Sequence, residues 1–401
     1  MFNSLKFKVI LFGFIFTFFS SFGQSYFLGL FNSSIRDALS ITHGQFGSIY
    51  ASATLCSSLL LIWVGKKIDD VNIFKFALFV IILLSFACFF FSKVSSVFLL
   101  FIAIFLMRFS GQGMMSHTAS TTISRYFTRT RGRALSISWF GLSSAEFIMP
   151  VLMVYLLTII DWQNLWLIFS ITVLIILPIA SFLLIKNLNL DSRETSDENI
   201  KEVEIKQWNR REVIKDYRFY IISLNMLAMP WIFTGFAVFQ SFVQTSKGWG
   251  PYVIAQSFMS YSILSVLTLF LSGFLIDKFT SRKLLIYMNI PLLFSVVVLY
   301  FFDTPITAFL FLGLVGISNG FANILGSSTW AELYGVKYLG SIKALTTALM
   351  VFATAFGTAL FGLLIDLGFT VGDIALISGF YILFSLILLF LVRKKLNPII
   401  I

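Results

Sequence analysis

Long apolar runs, separated by short polar segments, make up most of this sequence. Each run approaches or exceeds the ~20 residues that an α-helix needs to cross about 30 Å of hydrocarbon. Twelve such runs predict twelve membrane-spanning helices, at residues 7–31, 44–64, 73–92, 96–125, 133–160, 164–186, 216–245, 251–275, 283–302, 305–333, 342–366 and 373–392. The pattern therefore predicts an all-α polytopic membrane protein.

The densest run of charge lies between the sixth and seventh apolar runs, at residues 187–215. Acidic and basic side chains alternate there, which is typical of a solvated linker, with room for a short surface helix near residues 201–211. The predicted domains are an N-terminal six-helix bundle (1–186), a cytoplasmic linker (187–215) and a C-terminal six-helix bundle (216–401).

Composition excludes several classes of protein. With 58% hydrophobic and 12% charged residues, the chain has too much apolar surface for a soluble globule. Both cysteines, Cys56 and Cys88, fall inside predicted spans, which favours buried thiols over a disulfide or a metal site. No glycine-rich loop ends in Gly-Lys-Ser/Thr, the arrangement that cradles phosphates. We therefore expect no ATP site, no cofactor, no metal and no enzymatic activity.

The distribution of basic residues predicts the orientation. Of 29 lysines and arginines, all except Arg36, Lys93, Lys247 and the intramembrane Arg108 fall on the side of the N-terminus. The positive-inside rule then places both termini in the cytoplasm of a bacterial inner membrane. Contact with anionic headgroups accounts for the net charge of +11, so no nucleic-acid partner is expected. The first run lacks a small-x-small cleavage site, which favours a first helix over a signal peptide.

One charged stretch occurs twice, about half a chain length apart. Residues 65–75 and residues 273–283 both begin with a glycine, Gly65 or Gly273, and carry an aspartate four residues later, Asp69 or Asp277, with cations nearby. An internal repeat of this length in an apolar chain indicates a transporter built from two similar bundles.

These stretches resemble the Gly-x-Leu-x-Asp-(Arg/Lys)-x-Gly-(Arg/Lys)-(Arg/Lys) signature of the major facilitator superfamily, found between helices two and three and again between eight and nine. Asn72 and Thr280 stand where the second glycine is expected. The arginine-rich turn before the fifth helix and residues 339–345 before the eleventh extend the resemblance over nearly the whole chain. Within the superfamily, the loop between the fourth and fifth helices favours a monocarboxylate-transporter-like bacterial subgroup. The resemblance implies a secondary transporter that works by alternating access.

The resemblance also implies the residues that control gating: Gly65, Asp69, Arg131, Arg133, Gly273 and Asp277. It places Asp69 at the start of the eleventh helix and Asp277 at the start of the fifth, because helix N-termini favour negative charge.

Two charges lie near the middle of predicted spans: Arg108 in the fourth and Glu146 in the fifth. An ionised residue at that depth costs roughly 2.5 to 3.5 kcal/mol on insertion scales. The two side chains can sit at similar depth, so either a structural ion pair or a role in substrate and proton handling accounts for them. Neither has a charged counterpart in the other half. We therefore assign proton coupling to Glu146 as a hypothesis.

The family resemblance places the transport cavity among helices 1, 4, 7 and 10, which nominates Gln24, Arg108, Trp231 and Asn323 as substrate-binding residues. At 100° per residue, His117 lies on the face of the fourth helix opposite Arg108, as a packing residue in preference to a proton relay. Asn319 shares a face with Asn323. Either hydrogen bonding between helices or lining of the cavity can explain this pair.

The predicted substrate is a small organic anion, because a guanidinium pairs with a carboxylate through two hydrogen bonds. Coupling of this transport to protons, as symport, is part of the same hypothesis. Efflux of drug-like compounds or metabolites and a non-transporting sensor or assembly factor on the same fold are the alternatives. The fifth helix departs from the pattern of drug/proton antiporters at four positions: Ala145, Glu146, Met149 and Pro150. Expected partners are the small-molecule substrate, the lipid bilayer and, under symport, protons. We expect a monomer.

Overall fold

The computed structural model describes residues 4–127, 130–186 and 206–398, except for the side chains of Asp69, Arg131, Asp277 and Ser327. Within these ranges twelve helices are long and apolar enough to cross a membrane, which confirms the predicted fold class. We name them α1–α12: Leu5–Gly29, His43–Ile68, Ile73–Phe91, Val97–Tyr126, Gly132–Leu156, Trp162–Ile185, Tyr217–Val238, Val253–Ile276, Ser281–Phe301, Pro305–Tyr334, Leu339–Asp366 and Val371–Lys395.

The chain divides into two compact units, residues 1–199 (unit 1) and 200–401 (unit 2). In unit 1, α1 packs on α5, α2 on α4, and α3 on α6. Ser85 and Ser170 join α3 to α6 because each hydroxyl donates to the other residue's carbonyl oxygen, at 2.9 and 2.8 Å. In unit 2, α8 packs on α10 and α7 on α11. Buried polar residues again link the helices: Asn289 of α9 donates to Oδ1 of Asn225 in α7 at 2.9 Å.

Local sequence signals explain several helix starts. Thr42 accepts from the backbone N–H of Gln45, and the Gln45 side chain accepts from the Thr42 N–H, forming the predicted capping box of α2. Cys88 is buried as predicted, but the prediction for Cys56 is wrong, because this thiol is exposed on α2. The apolar run around Cys56 has exposed faces as well as buried ones, and position in a run does not distinguish them.

The described end of the predicted linker packs onto unit 2. A short helix, Arg210–Lys215, begins at Asn209 with a capping box to Glu212. Val213 is fully buried, and the Trp208 ring lies 5.4 Å from that of Tyr334. Trp208 thus docks against the end of α10, and the short helix packs on α7 and α11.

The two copies of the repeated stretch differ. In unit 1 the α-helical part of α2 ends at Val64 and a 3₁₀ turn, Gly65–Asp69, follows; Asn72 caps α3 by accepting from the Phe74 N–H at 2.9 Å. In unit 2 the helix that begins at Val253 continues through Gly273 to Phe279, four residues beyond the predicted end at residue 275. One glycine costs a helix only about 1 kcal/mol, and the helix-forming residues after Gly273 outweigh it.

Candidate functional site

The first span is broken at its centre. An α-helix ends at Ser20, a 3₁₀ turn covers Ser21–Gly23, and Gln24 is extended (φ −80°, ψ 151°) before helix resumes at Ser25. The break frees backbone groups inside a membrane span, where they need partners. The hydrophobic pattern of the span did not predict this break. The available signal was the cluster of serines around Gly23, because hydroxyl groups compete for backbone hydrogen bonds.

The fourth span, α4, is irregular where it faces the break in α1. Residues Arg108–Met115 form a π-helical segment between two α-helical parts. Gly111 and Gly23 bring the two backbones together: a Cβ atom on Gly111 would lie 2.6 Å from the Gly23 nitrogen. Only glycine permits this approach. The broken part of α1 and the π-helical part of α4 therefore fit against each other.

Arg108 lies where these two segments meet. Its guanidinium Nη1 donates to the Gly23 carbonyl oxygen at 3.0 Å and to Ser25 Oγ at 3.3 Å. The Tyr50 ring lies 5.3 Å from the guanidinium carbon, and the Tyr50 hydroxyl donates to Ser25 Oγ at 3.0 Å. The freed carbonyl of the α1 break thus becomes an anchor for Arg108.

The rest of the guanidinium has no partner among the described residues. The Arg108 side chain is only 4% exposed, its Nε is buried without a hydrogen bond, and Nη2 donates to no described atom. Nε and Nη2 together form the side-on fork that binds a carboxylate through two parallel hydrogen bonds. Arg108 is therefore a fixed, buried cation whose fork is open.

Glu146 on α5 is a second buried charge without a described partner. It is 8% exposed, and no hydrogen bond or ion pair within 4.0 Å joins it to Arg108 or to any other described residue. The structural ion pair that the sequence left open is thus not formed. Burial of an unpaired carboxyl disfavours its charged form.

The other substrate-binding candidates have ordinary surroundings. Gln24 is half-buried at the α1 break. Trp231 is buried among aromatic rings, with Tyr381 at 5.1 Å and Phe356 at 6.0 Å. Asn323 is exposed on α10. Among the described residues of unit 2, no hydrogen bond or ring contact connects Trp231 with Asn323, whereas Asn319 donates to Ser265 Oγ at 2.9 Å, an interhelical hydrogen bond. In the described ranges no group of three His, Cys, Asp or Glu residues could hold a metal ion.

Among the gating candidates, Gly65 has a specific contact. His117 Nε2 donates to the Gly65 carbonyl oxygen at 3.0 Å, and Arg125 Nη1 donates to that of Ile68 at 3.1 Å. Both donors belong to α4, and the sequence analysis assigned neither to this turn. Arg133 is exposed, and Gly273 lies within a helix with open space around its Cα. The side chains of Asp69, Arg131 and Asp277 lie outside the described structure, so their contacts stay predictions.

The prediction that His117 faces away from Arg108 is wrong. Arg108 contacts Tyr50 of α2, and His117 contacts Gly65 at the end of α2, so both face the same helix. The count of 100° per residue assumed an unbroken α-helix. An i→i+5 segment turns less per residue, which brings the two side chains round to one face.

A carboxylate in unit 2 was also missed. Glu332, in the last turn of α10, accepts from the Ser281 N–H at 2.9 Å and pairs with Arg282 Nε at 2.9 Å. Arg282 Nη1 in turn donates to Asn397 Oδ1 at 2.7 Å, near the C-terminus. The signal in the sequence was an acid near a helix C-terminus, where the helix dipole disfavours it and a tertiary partner is needed.

Twelve spans in two units, with a broken helix beside a buried cation, define a multi-pass membrane protein of the transporter type. The sequence matches the Major Facilitator Superfamily over residues 13–358, and the chain belongs to this family. No curated protein matches the chain.

Solved structures that share the fold include the following two. A bacterial homologue of the human lysosomal transporter Spinster, inward-facing and unoccupied, is 14% identical with a TM-score of 0.74, covering 98% of each chain. The nucleoside transporter NupG is 14% identical with a TM-score of 0.70, again covering 98% of each chain. At this identity the likeness concerns the fold alone. The monocarboxylate-transporter-like subgroup stays a prediction.

Proposed function

We propose that this protein is a secondary active transporter that binds a small organic anion at the open fork of Arg108 and moves it by alternating access. The observation that carries the proposal is a buried guanidinium with two free donors and no acidic partner among the described residues. An uncompensated buried charge is expensive, and a bound carboxylate would neutralise it.

The shape of the network favours a carboxylate over a neutral solute. Gly23, Ser25 and Tyr50 hold the Nη1 side, which fixes the plane of the guanidinium before a ligand arrives. Fixing the donors in advance lowers the entropic cost of binding. A neutral ligand would leave the positive charge buried and unpaired.

Uptake of labelled mono- and dicarboxylates into proteoliposomes tests this proposal. Arg108→Gln should reduce binding of the transported carboxylate by at least about tenfold, because a charge-assisted bidentate pair contributes roughly 1.5 to 3 kcal/mol. Arg108→Lys keeps the charge but lacks the fork, so it should recover only part of the affinity. Unchanged carboxylate affinity in Arg108→Gln would contradict the proposal. Export without carboxylate uptake would support the efflux alternative, and no flux of any solute would support a sensor or assembly factor.

Proton coupling at Glu146 is the finer part of the proposal. A carboxyl that is buried without a partner can be occupied by a proton, and binding of proton and anion in one unit would reduce the charge moved through the membrane. Glu146→Gln, which mimics the protonated form, should remove the dependence of uptake on a pH gradient while exchange of internal for external substrate continues. Uptake by Glu146→Gln that still follows the pH gradient would place the coupling site elsewhere.

A further inference from the structure

Three side chains of α4 contact α2 and the turn that follows it. Arg108 lies over the Tyr50 ring, His117 donates to the Gly65 carbonyl, and Arg125 donates to the Ile68 carbonyl. We call the last two hydrogen bonds the clasp. One face of α4 therefore contacts α2 from the Arg108 site to the 3₁₀ turn.

Uniform α-helical geometry would not produce this alignment. Arg108 and His117 are nine residues apart, which at 100° per residue is two and a half turns and puts them on opposite faces. A reduction of roughly 20° per residue in an i→i+5 segment brings the separation to two whole turns. The π-helical segment, Arg108–Met115, covers nearly the whole interval. The facing of His117 toward Gly65 thus depends on the π-helical bonding pattern.

Contacts with the break in α1 support the same segment. Arg108, its first residue, bonds to the Gly23 carbonyl, and Gly111 in its middle touches the Gly23 backbone. A shift of Arg108 toward a ligand would therefore move the first residue of the π-helical segment. The clasp residues, which follow the last residue of that segment, would move with it.

We propose that Arg108–Met115 is a register switch that links the Arg108 site to the turn at residues 65–69. In the π-helical form His117 and Arg125 hold the turn. Conversion to α-helical bonding rotates the part of α4 beyond Met115 and releases the Gly65 and Ile68 carbonyls. The identity of the ligand rests on the proposed function, whereas the clasp and its dependence on helix register do not.

A buried reporter in the turn tests the switch without any ligand. Ile68 is 1% exposed, so a cysteine introduced by Ile68→Cys, with Cys56→Ser and Cys88→Ala, should react slowly with a maleimide in detergent. His117→Ala with Arg125→Ala should raise the labelling rate about fivefold, the change that ~1 kcal/mol of lost hydrogen bonding produces. Deletion of Gly113 leaves Arg108 and His117 eight residues apart, which in an α-helix is roughly 80° past two whole turns. His117 then misses the Gly65 carbonyl, so the labelling rate should rise with both donors present.

One control keeps the chain length and the clasp. Ser124→Ala lies beside Arg125 without a described hydrogen bond to the turn, so it should label within about twofold of the parent. A Gly113 deletion that keeps its helical circular dichroism and monodispersity but labels like the parent would overturn the proposal. Equal labelling of Ser124→Ala and the deletion would also overturn it.

A second variant covers the case in which the deletion does not fold. Arg108→Lys removes the bond geometry at Gly23 and should speed labelling in the parent, but add nothing in the His117→Ala, Arg125→Ala background. Additive effects would show that the anion site and the clasp are independent, and would overturn the switch. Loss of carboxylate binding in Arg108→Lys without faster labelling refutes the switch alone. Faster labelling with normal carboxylate binding refutes the proposed function alone.

Discussion

The two repeated stretches are supported by equivalent helices with opposite chemistry. In unit 1, α4 supplies donors, His117 and Arg125, to carbonyl oxygens of the Gly65–Asp69 turn. In unit 2, α10 supplies an acceptor, Glu332, to N–H groups at the start of α9. Both α4 and α10 are the fourth span of their unit. In both units the fourth span supports the repeated stretch, but α4 does so with hydrogen-bond donors and α10 with an acceptor.

The backbone explains the change. The first stretch ends a helix through a 3₁₀ turn, so its unpaired groups are carbonyl oxygens, whereas the second stretch passes straight into a new helix at Ser281, so its unpaired groups are N–H donors. A stretch with unpaired carbonyl oxygens needs a donor side chain, and a stretch with unpaired N–H groups needs an acceptor.

The largest expected effect in this comparison is at Glu332. Glu332→Ala leaves the Ser281 N–H and Arg282 Nε without their acceptor and should lower the free energy of unfolding of unit 2 by about 2 kcal/mol. Glu332→Gln keeps an acceptor oxygen and should cost less than half as much. Thermal unfolding in detergent measures both. Equal losses for Ala and Gln would show that packing, not the cap, holds α9.

Substitution to the family's glycine should have opposite signs in the two stretches. Thr280 has a positive φ of 68° with ψ 149°, and its hydroxyl is buried without a partner. Thr280→Gly should therefore raise the free energy of unfolding by about 1 kcal/mol or somewhat more. Asn72 has an ordinary φ of −54° and caps α3, so Asn72→Gly should cost a few tenths of a kcal/mol. Shifts of the same sign would remove the contrast between the stretches.

The smallest expected effect lies outside the membrane, on the short helix next to unit 2. The Asn209 N–H and then Lys206 hold the pKa of Glu212 below its usual value. Because the folded form has the lower pKa, this stabilisation is fully present above the ordinary glutamate pKa of about 4.3 and is lost as pH falls through the lowered value. NMR titration of the Asn209 amide shift should follow that loss, and Glu212→Gln should abolish it. An unchanged titration in Glu212→Gln would assign the response to another group.

Much of the fold could be predicted because hydrophobic runs and caps are local. The twelve spans follow from apolar length, since hydrocarbon forces each span to satisfy its own backbone. The capping box at Thr42 follows from residue spacing. The presence of two buried charges was also visible, because Arg108 and Glu146 stand out in apolar runs.

Other features depend on contacts between helices and had no local pattern. The break at Gln24 and the π-helical segment fit each other through Gly23 and Gly111, so neither can be derived from its own span. The facing of His117 followed from that irregularity, and the partner of Glu332 lies about 50 residues away. The sequence by itself determined where helices cross the membrane and which charges are buried with them. Only the tertiary structure decided which donors of Arg108 stay open, because that depends on where a neighbouring helix exposes a carbonyl oxygen.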